Sequence, residues 1–153
     1  MAMETNLDII STSEENSRVR AEIWSDFVGW DNRRRGENDF LKNVFANHGS
    51  RKILDVALGD GVDTIYLLQN GFEVSSNEVD DAFRLKAIKN AQRNGLSISP
   101  TSLDWERLSE GYEPHSQNAI ICMGNSLTCK FGREGQLEAL KQFYNVLKSG
   151  GVL

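Results

Sequence analysis

From residue 51 onward the sequence predicts a doubly wound α/β fold, a parallel sheet with helices on both faces. Two observations predict it. Short apolar runs alternate with stretches of helical periodicity, and glycine or aspartate marks almost every change of rhythm. Sheets of this kind bind ligands beyond the carboxyl ends of their strands, at the point where the strand order reverses. The loops after the strands are therefore where function is sought.

The elements follow in order. Residues 1–12 are polar and read as a disordered N-terminus. Ser13 to Trp30 reads as a helix with Val19, Ile23, Trp24 and Phe27 on one face. Glu37 to Asn47 reads as a second, bearing Phe40, Leu41, Val44 and Phe45 and stopping at Gly49. These helices, residues 13–50, are expected to cover the cofactor site of the core at 51–153. Lys52 to Leu58 is a short buried strand. Gly59-Asp60-Gly61 breaks it, and Asp63 suits the cap of a helix ending near Asn70 and Gly71. Phe72 to Ser76 is the second strand. Asp80 or Asp81 opens a helix with Phe83, Ala87, Ile88 and Ala91, closed by Gly95. Ser97 to Leu103 is expected as a third strand, at an edge because of Pro100. Ala119 to Met123 is the fourth and clearest. Gln136 to Lys148 is a helix with Leu137, Leu140, Phe143, Tyr144 and Leu147 expected inward. After Gly150-Gly151, Val152-Leu153 starts a fifth strand, so the sheet is expected to be truncated there.

Composition narrows the function classes. The chain has 153 residues, 39% hydrophobic and 25% charged, with a net charge of -5. That is enough for one core and ordinary for a globular protein. An acidic surface repels phosphate backbones, so nucleic acid is not an expected partner. No apolar run approaches the roughly 18 residues that span a bilayer. The start lacks the basic-then-apolar pattern of a signal peptide, and the protein reads as cytoplasmic. Cys122 and Cys129 match neither a zinc knuckle nor a disulfide framework. No metal site is expected.

Four loops carry the chemistry. After the first strand, Gly59 and Gly61 allow close backbone approach beside a helix start. A dinucleotide fingerprint would want a further glycine where Thr64 stands, which disfavours NAD. After the second, Glu78 can accept hydrogen bonds from both hydroxyls of a ribose, while Asp80 or Asp81 suits the helix cap. After the third, Asp104 can accept from an adenine amino group and Trp105 can pack on the base. After the fourth, Gly124, Asn125 and Ser126 place small polar groups where a second substrate would meet the cofactor. An Asx or Ser turn is the alternative there.

Together these residues resemble the class I S-adenosylmethionine-dependent methyltransferases, and more closely glycine N-methyltransferase and the glycine/sarcosine N-methyltransferases. The first loop of that family reads Asp-Val-Ala-Cys-Gly-Thr-Gly-Val-Asp-Ser; here it reads Asp55-Val-Ala-Leu-Gly-Asp-Gly-Val-Asp-Thr64. Gly71-Phe72-Glu-Val74 is similar to the family's Gly-Phe-x-Val. Ile120-Ile-Cys-Met-Gly-Asn-Ser126 is close to Val-Ile-Cys-Leu-Gly-Asn-Ser, the most specific string of the set. Trp24 and Phe27-Val28-Gly29 resemble a Trp-x-x-Tyr-Ile-Gly segment. The resemblance covers about residues 20 to 153.

The resemblance implies a Rossmann-like fold and S-adenosyl-L-methionine as cofactor. It implies that Ala57, Gly59 and Gly61 line the methionine and ribose, Glu78 the ribose, and Asp104 and Trp105 the adenine. Met123 would pack under the adenosyl group, Ser126 would touch the methionine moiety, and Trp24 belongs to the same set. An arginine for the cofactor carboxylate is Arg33 or Arg34, depending on the end counted from. A bidentate fork suits that task, and a solvated face is the alternative. Asn125 would contact the acceptor. Cys129 replaces a family histidine, and the family's acceptor-clamping arginine and tyrosines lie beyond Leu153.

The implied function is N-methylation of glycine, sarcosine or a similar small amine, by this chain or by an enzyme of which it is the cofactor half. An acceptor such as an amino sugar is the alternative within the class. A non-catalytic cofactor-binding subunit is the alternative outside it, completed by a homo-oligomer or a partner chain that pairs the open sheet edge.

Overall fold

The computed structural model describes residues 6–153, with side chains described from residue 13. Three helices come first: α1 (Asn6–Val28), α2 (Trp30–Glu37) and α3 (Phe40–Asn47). Then follow β1 (Lys52–Asp55), α4 (Val62–Gln69), β2 (Glu73–Ser76), α5 (Asp81–Arg93), β3 (Gln117–Ile121), α6 (Gly132–Val146) and β4 (Leu147–Val152). Short 3-10 turns at Trp105–Glu110 and Ser126–Cys129 flank β3. The four strands are parallel in the order β2-β1-β3-β4. The chain passes from β1 outward to β2, then crosses back to β3 on the other side. That reversal puts the crevice beyond the carboxyl ends of β1 and β3.

Period-two alternation builds the core. Ile53, Ala119 and Ile121 face one side with Leu41, Phe45 and Leu67. Leu54, Val56 and Ile120 face the other with Leu108, Phe143 and Val146. Both faces are covered, which is why β1 and β3 read as continuous apolar runs rather than alternating ones.

Several elements differ from the sequence expectation. The expected third strand, Ser97 to Leu103, is irregular and meets β2 only through a bridge between Asn77 and Thr101. Pro100 has no N–H to give a ladder, and Ser97, Ser99 and Ser102 are exposed, so little apolar surface drives pairing. Asn77 replaces the ladder. Its buried amide donates to the Leu103 carbonyl at 2.9 Å and accepts from Leu103 N–H at 2.8 Å and Thr101 Oγ1 at 2.7 Å.

The expected Glu37–Asn47 helix is broken. Asn38 and Asp39 lie in the left-handed region (φ 43° and 59°), so α2 carries the arginine triplet and α3 begins at Phe40. The helix expected from Ser13 starts at Asn6, while residues 1–5 of the expected disordered segment lie outside the described residues. Its inward stripe is also rotated. Ala21 is buried, Trp24, Ser25 and Val28 are half-buried, and Val19, Ile23 and Phe27 are exposed. Spacing at i, i+3, i+4 and i+7 satisfies this stripe as well as the expected one. On α6 the same kind of rotation leaves Leu137 and Tyr144 exposed, with Ala139, Phe143 and Val146 buried. The last helix also ends earlier, because Leu147 and Lys148 already belong to β4.

Gly61 (φ 93°) shows why a loop residue must be small. A Cβ there would lie 3.2 Å from Ala87 Cβ and 3.3 Å from Ile65 Cδ1, so the α4–α5 contact needs its absence. Gly61→Ala is expected to cost about 2 kcal/mol, from the left-handed backbone and the crowding together. Chemical denaturation checks this; an unchanged midpoint would refute the packing role.

Candidate cofactor site

The first loop starts from an acid at the end of an apolar strand. Asp55 is buried; its carboxyl accepts from Thr64 Oγ1 at 2.8 Å and from Ala57 N–H at 3.1 Å. Burial, reinforced by the charge of Asp63, pushes its pKa up to about 7. These bonds turn the chain sharply into the glycine loop. At Gly59 (φ 56°) nothing lies closer to a notional Cβ than the Ala57 carbonyl and Trp24 Nε1, both at 4.0 Å. The backbone there is open to a ligand, and Trp24 stands beside it.

Glu78 joins this loop to the next. Its carboxylate accepts from Gly59 N–H at 2.8 Å and from Asp80 N–H at 3.0 Å. Burial raises its pKa, against those two amide bonds. Of the two aspartates suited to the helix cap, Asp80 takes the role, accepting from Ala82 N–H and Phe83 N–H. Asp63 does not cap α4: Gly61 stands at that position without a side-chain bond.

Instead Asp63 meets the N-terminal helices. Its two oxygens pair with Arg33, at 2.7 Å, and Arg34, and both arginines also pair with Glu37. Arg34 lies over the Tyr66 ring at 4.4 Å. Burial raises the Asp63 pKa, opposed by the two guanidiniums. The triplet is therefore not a solvated face: only Arg35 is exposed. Nor are Arg33 and Arg34 free forks, because the protein's own carboxylates engage them. Asp60 is also internal. Its Oδ2 accepts from Ser25 Oγ and Trp30 Nε1, each at 2.8 Å.

The other side of the crevice is formed after β3. Met123 is half-buried against the Ile53–Phe45 cluster. Asn125 is exposed and left-handed (φ 60°). Ser126 Oγ donates to the Met123 carbonyl at 2.6 Å, and Thr128 Oγ1 to the Asn125 carbonyl at 2.6 Å. These two bonds make the hydroxyl turn that the sequence offered as an alternative, and they leave the Asn125 side chain at the surface. Asp104 is exposed at the start of a 3-10 turn. Trp105 is anchored differently from the expectation. Its indole N–H donates to the Val56 carbonyl at 2.7 Å, and its ring is edge-on to Phe143 at 5.4 Å. It buttresses the first loop from the core.

The crevice thus brings Ala57, Gly59, Glu78, Trp24, Met123 and Asn125 to one end of the sheet. Sequence reasoning gave no role to Ser25 and Trp30, and none beyond the motif itself to Asp55 and Asp60. An acid inside Ile-Leu-Asp-Val was a usable signal for Asp55; the Asp60 contacts span some thirty positions and left none.

The residues fit a nucleoside cofactor that carries a cation and a carboxylate. Acidic groups crowd the glycine loop, its Gly59 backbone is open, and Arg34 Nε is a buried donor without a partner among the described residues. A doubly wound sheet with an open glycine loop at its switch point and an acid after the second strand defines a Rossmann-like nucleoside-binding class. The sequence matches the methyltransferase-domain family model over residues 53–151, and the chain belongs to that family. S-adenosyl-L-methionine is the cofactor of the class.

Relatives agree. The chain is 33% identical over 132 residues to a glycine/sarcosine N-methyltransferase of Aphanothece halophytica, covering 86% of this chain and 49% of that protein. It is 29% identical over 146 residues to glycine N-methyltransferase of Homo sapiens, covering 87% and 50%. The chain therefore spans about half the length of the curated relatives it matches. Among solved structures, an S-adenosylmethionine-dependent methyltransferase of Clostridium acetobutylicum superposes with a TM-score of 0.66 at 20% identity, covering 74% of this chain and 46% of that one. A sugar N-methyltransferase of a Streptoalloteichus species gives 0.62 at 21%, covering 78% and 49%. At those identities the likeness is one of fold. No helix among the described residues is long and apolar enough to cross a membrane.

Proposed function

We propose that the protein is an S-adenosylmethionine-dependent N-methyltransferase, or the cofactor half of one, acting on glycine, sarcosine or a similar small amine. The carrying observation is the pairing of Gly59, open and bonded to Glu78, with Asn125 on the facing loop of the same switch point. The names of the relatives support the choice of a small amino acid as acceptor.

S-adenosylmethionine supplies an electrophilic methyl group on a positive sulfur, a reaction that needs no metal. The chain's own part is to bind and orient. Glu78 accepts from the ribose hydroxyls while fixing the Gly59 loop. Asp104 takes the adenine amino group, Met123 packs beneath the adenosyl group, and Trp105 holds the loop from behind. Ala57 and Gly59 would line the methionine and ribose with Trp24 beside Gly59, and Ser126 would touch the methionine moiety; Gly61, buried against Ala87 and Ile65, would act by letting α4 and α5 pack behind that loop. Arg34, or its neighbour Arg33, would offer the cofactor carboxylate the guanidinium donors that Asp63 and Glu37 leave free. The Asn125 amide oxygen orients the amine and stabilises its growing positive charge.

Titration of the chain with S-adenosylhomocysteine tests this. Saturable binding is expected, and Glu78→Ala should weaken it by roughly 1.5–3 kcal/mol, the range for hydrogen bonds to a charged group. A folded chain with no affinity for the compound would sink the reading. A second reading, a cofactor-binding subunit completed by further polypeptide, is favoured by an apolar groove beside β4. Phe40, Val44, Ile121, Met123 and Val152 line it, around about 360 Å³. Turnover of glycine by this chain alone would refute that second reading.

A further inference from the structure

We propose that Asp60 is a positioning residue that fixes the α1–α2 turn against the glycine loop and so holds Trp24 over the cofactor cleft. The proposal rests on reading that loop as the cofactor site. Asp60 is 1% exposed. From behind, its carbonyl accepts from the buried Asn90 side chain of α5 at 2.9 Å. From the front, its Oδ2 takes both Ser25 Oγ and Trp30 Nε1. Those two donors straddle Gly29 (φ 59°), where α1 stops and α2 starts. One oxygen therefore pins the hinge between two helices.

The pin matters because the other ties lie away from the turn: Asp63 holds Arg33 and Arg34 within α2, and Asp80 holds Ser17 and Arg20 in the middle of α1. α1 leaves Val19, Ile23 and Phe27 exposed, so apolar burial anchors it weakly. Its inward residue Trp24 rests edge-on against Phe83 at 5.5 Å and beside Gly59. Removing the carboxylate strands a hydroxyl and an indole N–H. The two sheet clusters share none of these contacts. The turn can then loosen while the sheet stays folded, as expected for a unit of low local stability. Cofactor affinity falls because Trp24 no longer has a fixed place.

The test uses the full chain with Asp60→Ala, Asp60→Asn and the double variant Ser25→Ala/Trp30→Phe. Amide hydrogen exchange is read over residues 17–37 and 53–69, together with the dissociation constant for S-adenosylhomocysteine. Asp60→Ala and the double variant should speed exchange over 17–37 by about tenfold, leave 53–69 unchanged, and weaken binding by about tenfold. Asp60→Asn keeps an acceptor oxygen and should stay within about threefold of the parent. Equal exchange in all proteins overturns the proposal, as does faster exchange with unchanged affinity. If Asp60→Ala does not fold, the double variant, which keeps the carboxylate, decides. If the parent binds no S-adenosylhomocysteine, the cofactor reading fails, and exchange over 17–37 still decides whether Asp60 pins the hinge.

Discussion

Asp63→Ala is expected to lower the thermal midpoint by roughly 10 °C and to free α2 from the body of the fold. The side chain of Asp63 is only 8% exposed and faces two guanidiniums, themselves 21% and 22% exposed. Removing one partner of a buried ion pair leaves the other charge uncompensated, which costs about 3–5 kcal/mol. Here Glu37 remains on both arginines and water reaches part of each, so the lower end applies, about 3 kcal/mol. For a domain of this size each kcal/mol moves the midpoint by about 2–4 °C. Asp63→Asn keeps the shape and an acceptor oxygen while removing a charge that burial disfavours, and should lie closest to the parent. Replacing Arg33, Arg34, Glu37 and Asp63 together by apolar residues should cost less than the single alanine, because no charge is then stranded. Calorimetric melting of the three proteins checks the order. A single-alanine midpoint equal to the parent's would mean that the cluster contributes nothing.

That cluster also marks where sequence reading stops. What could be read was local. Lys52–Asp55 and Ala119–Ile121 declared themselves as strands because both faces are buried, and Gly59 and Gly61 as a loop because no other residue suits that backbone. The helix stripes were read with the right period, and on α3 and α5 with the right phase, as Leu41, Phe45, Ala87 and Ala91 are buried; on α1 and part of α6 the phase was wrong, since neighbouring apolar columns there satisfy the same spacing. The charged partners were not legible. Arg33 and Asp63 lie 30 positions apart, and an arginine run reads equally as solvated face, ligand fork or internal pair until the fold brings the acid to it. Asp60 stood out only as an acid where a threonine is usual in the resembling family. Its meaning depends on Ser25 and Trp30, which reach it across a hinge. Asn77 shows a further limit: a side chain substituted for strand pairing, so the expected third strand formed no ladder.

Asp55 should make the chain less stable as the pH rises toward neutrality, the reverse of ordinary acid denaturation. Its carboxyl has an ordinary value of 3.8 and is pushed up to about 7 in the fold, chiefly by burial. The folded state therefore binds a proton that the unfolded state releases. The stability this proton confers is fully present below pH 3.8, falls as the pH climbs, and is lost above about pH 7. A shift of that size corresponds to roughly 4 kcal/mol between the two limits. Asp63 and Glu78 are raised as well and add to the same trend. Asp55→Asn removes the titration and keeps the contacts: its amide oxygen accepts from Ala57 N–H and its amide NH2 donates to Thr64 Oγ1. At pH 8 the variant should be more stable than the parent by about 2–4 kcal/mol, and near pH 4 the two should agree. Urea unfolding across that window gives the slope for each protein. A parent curve that is flat, or one whose slope survives in Asp55→Asn, would mean that the carboxyl is charged in the fold. Retaining a destabilising acid at this point is consistent with a need for negative charge beside the glycine loop. Asp55→Asn should then bind the positively charged S-adenosylmethionine less well than the parent at pH 8, and S-adenosylhomocysteine nearly as well, since the homocysteine sulfur carries no charge.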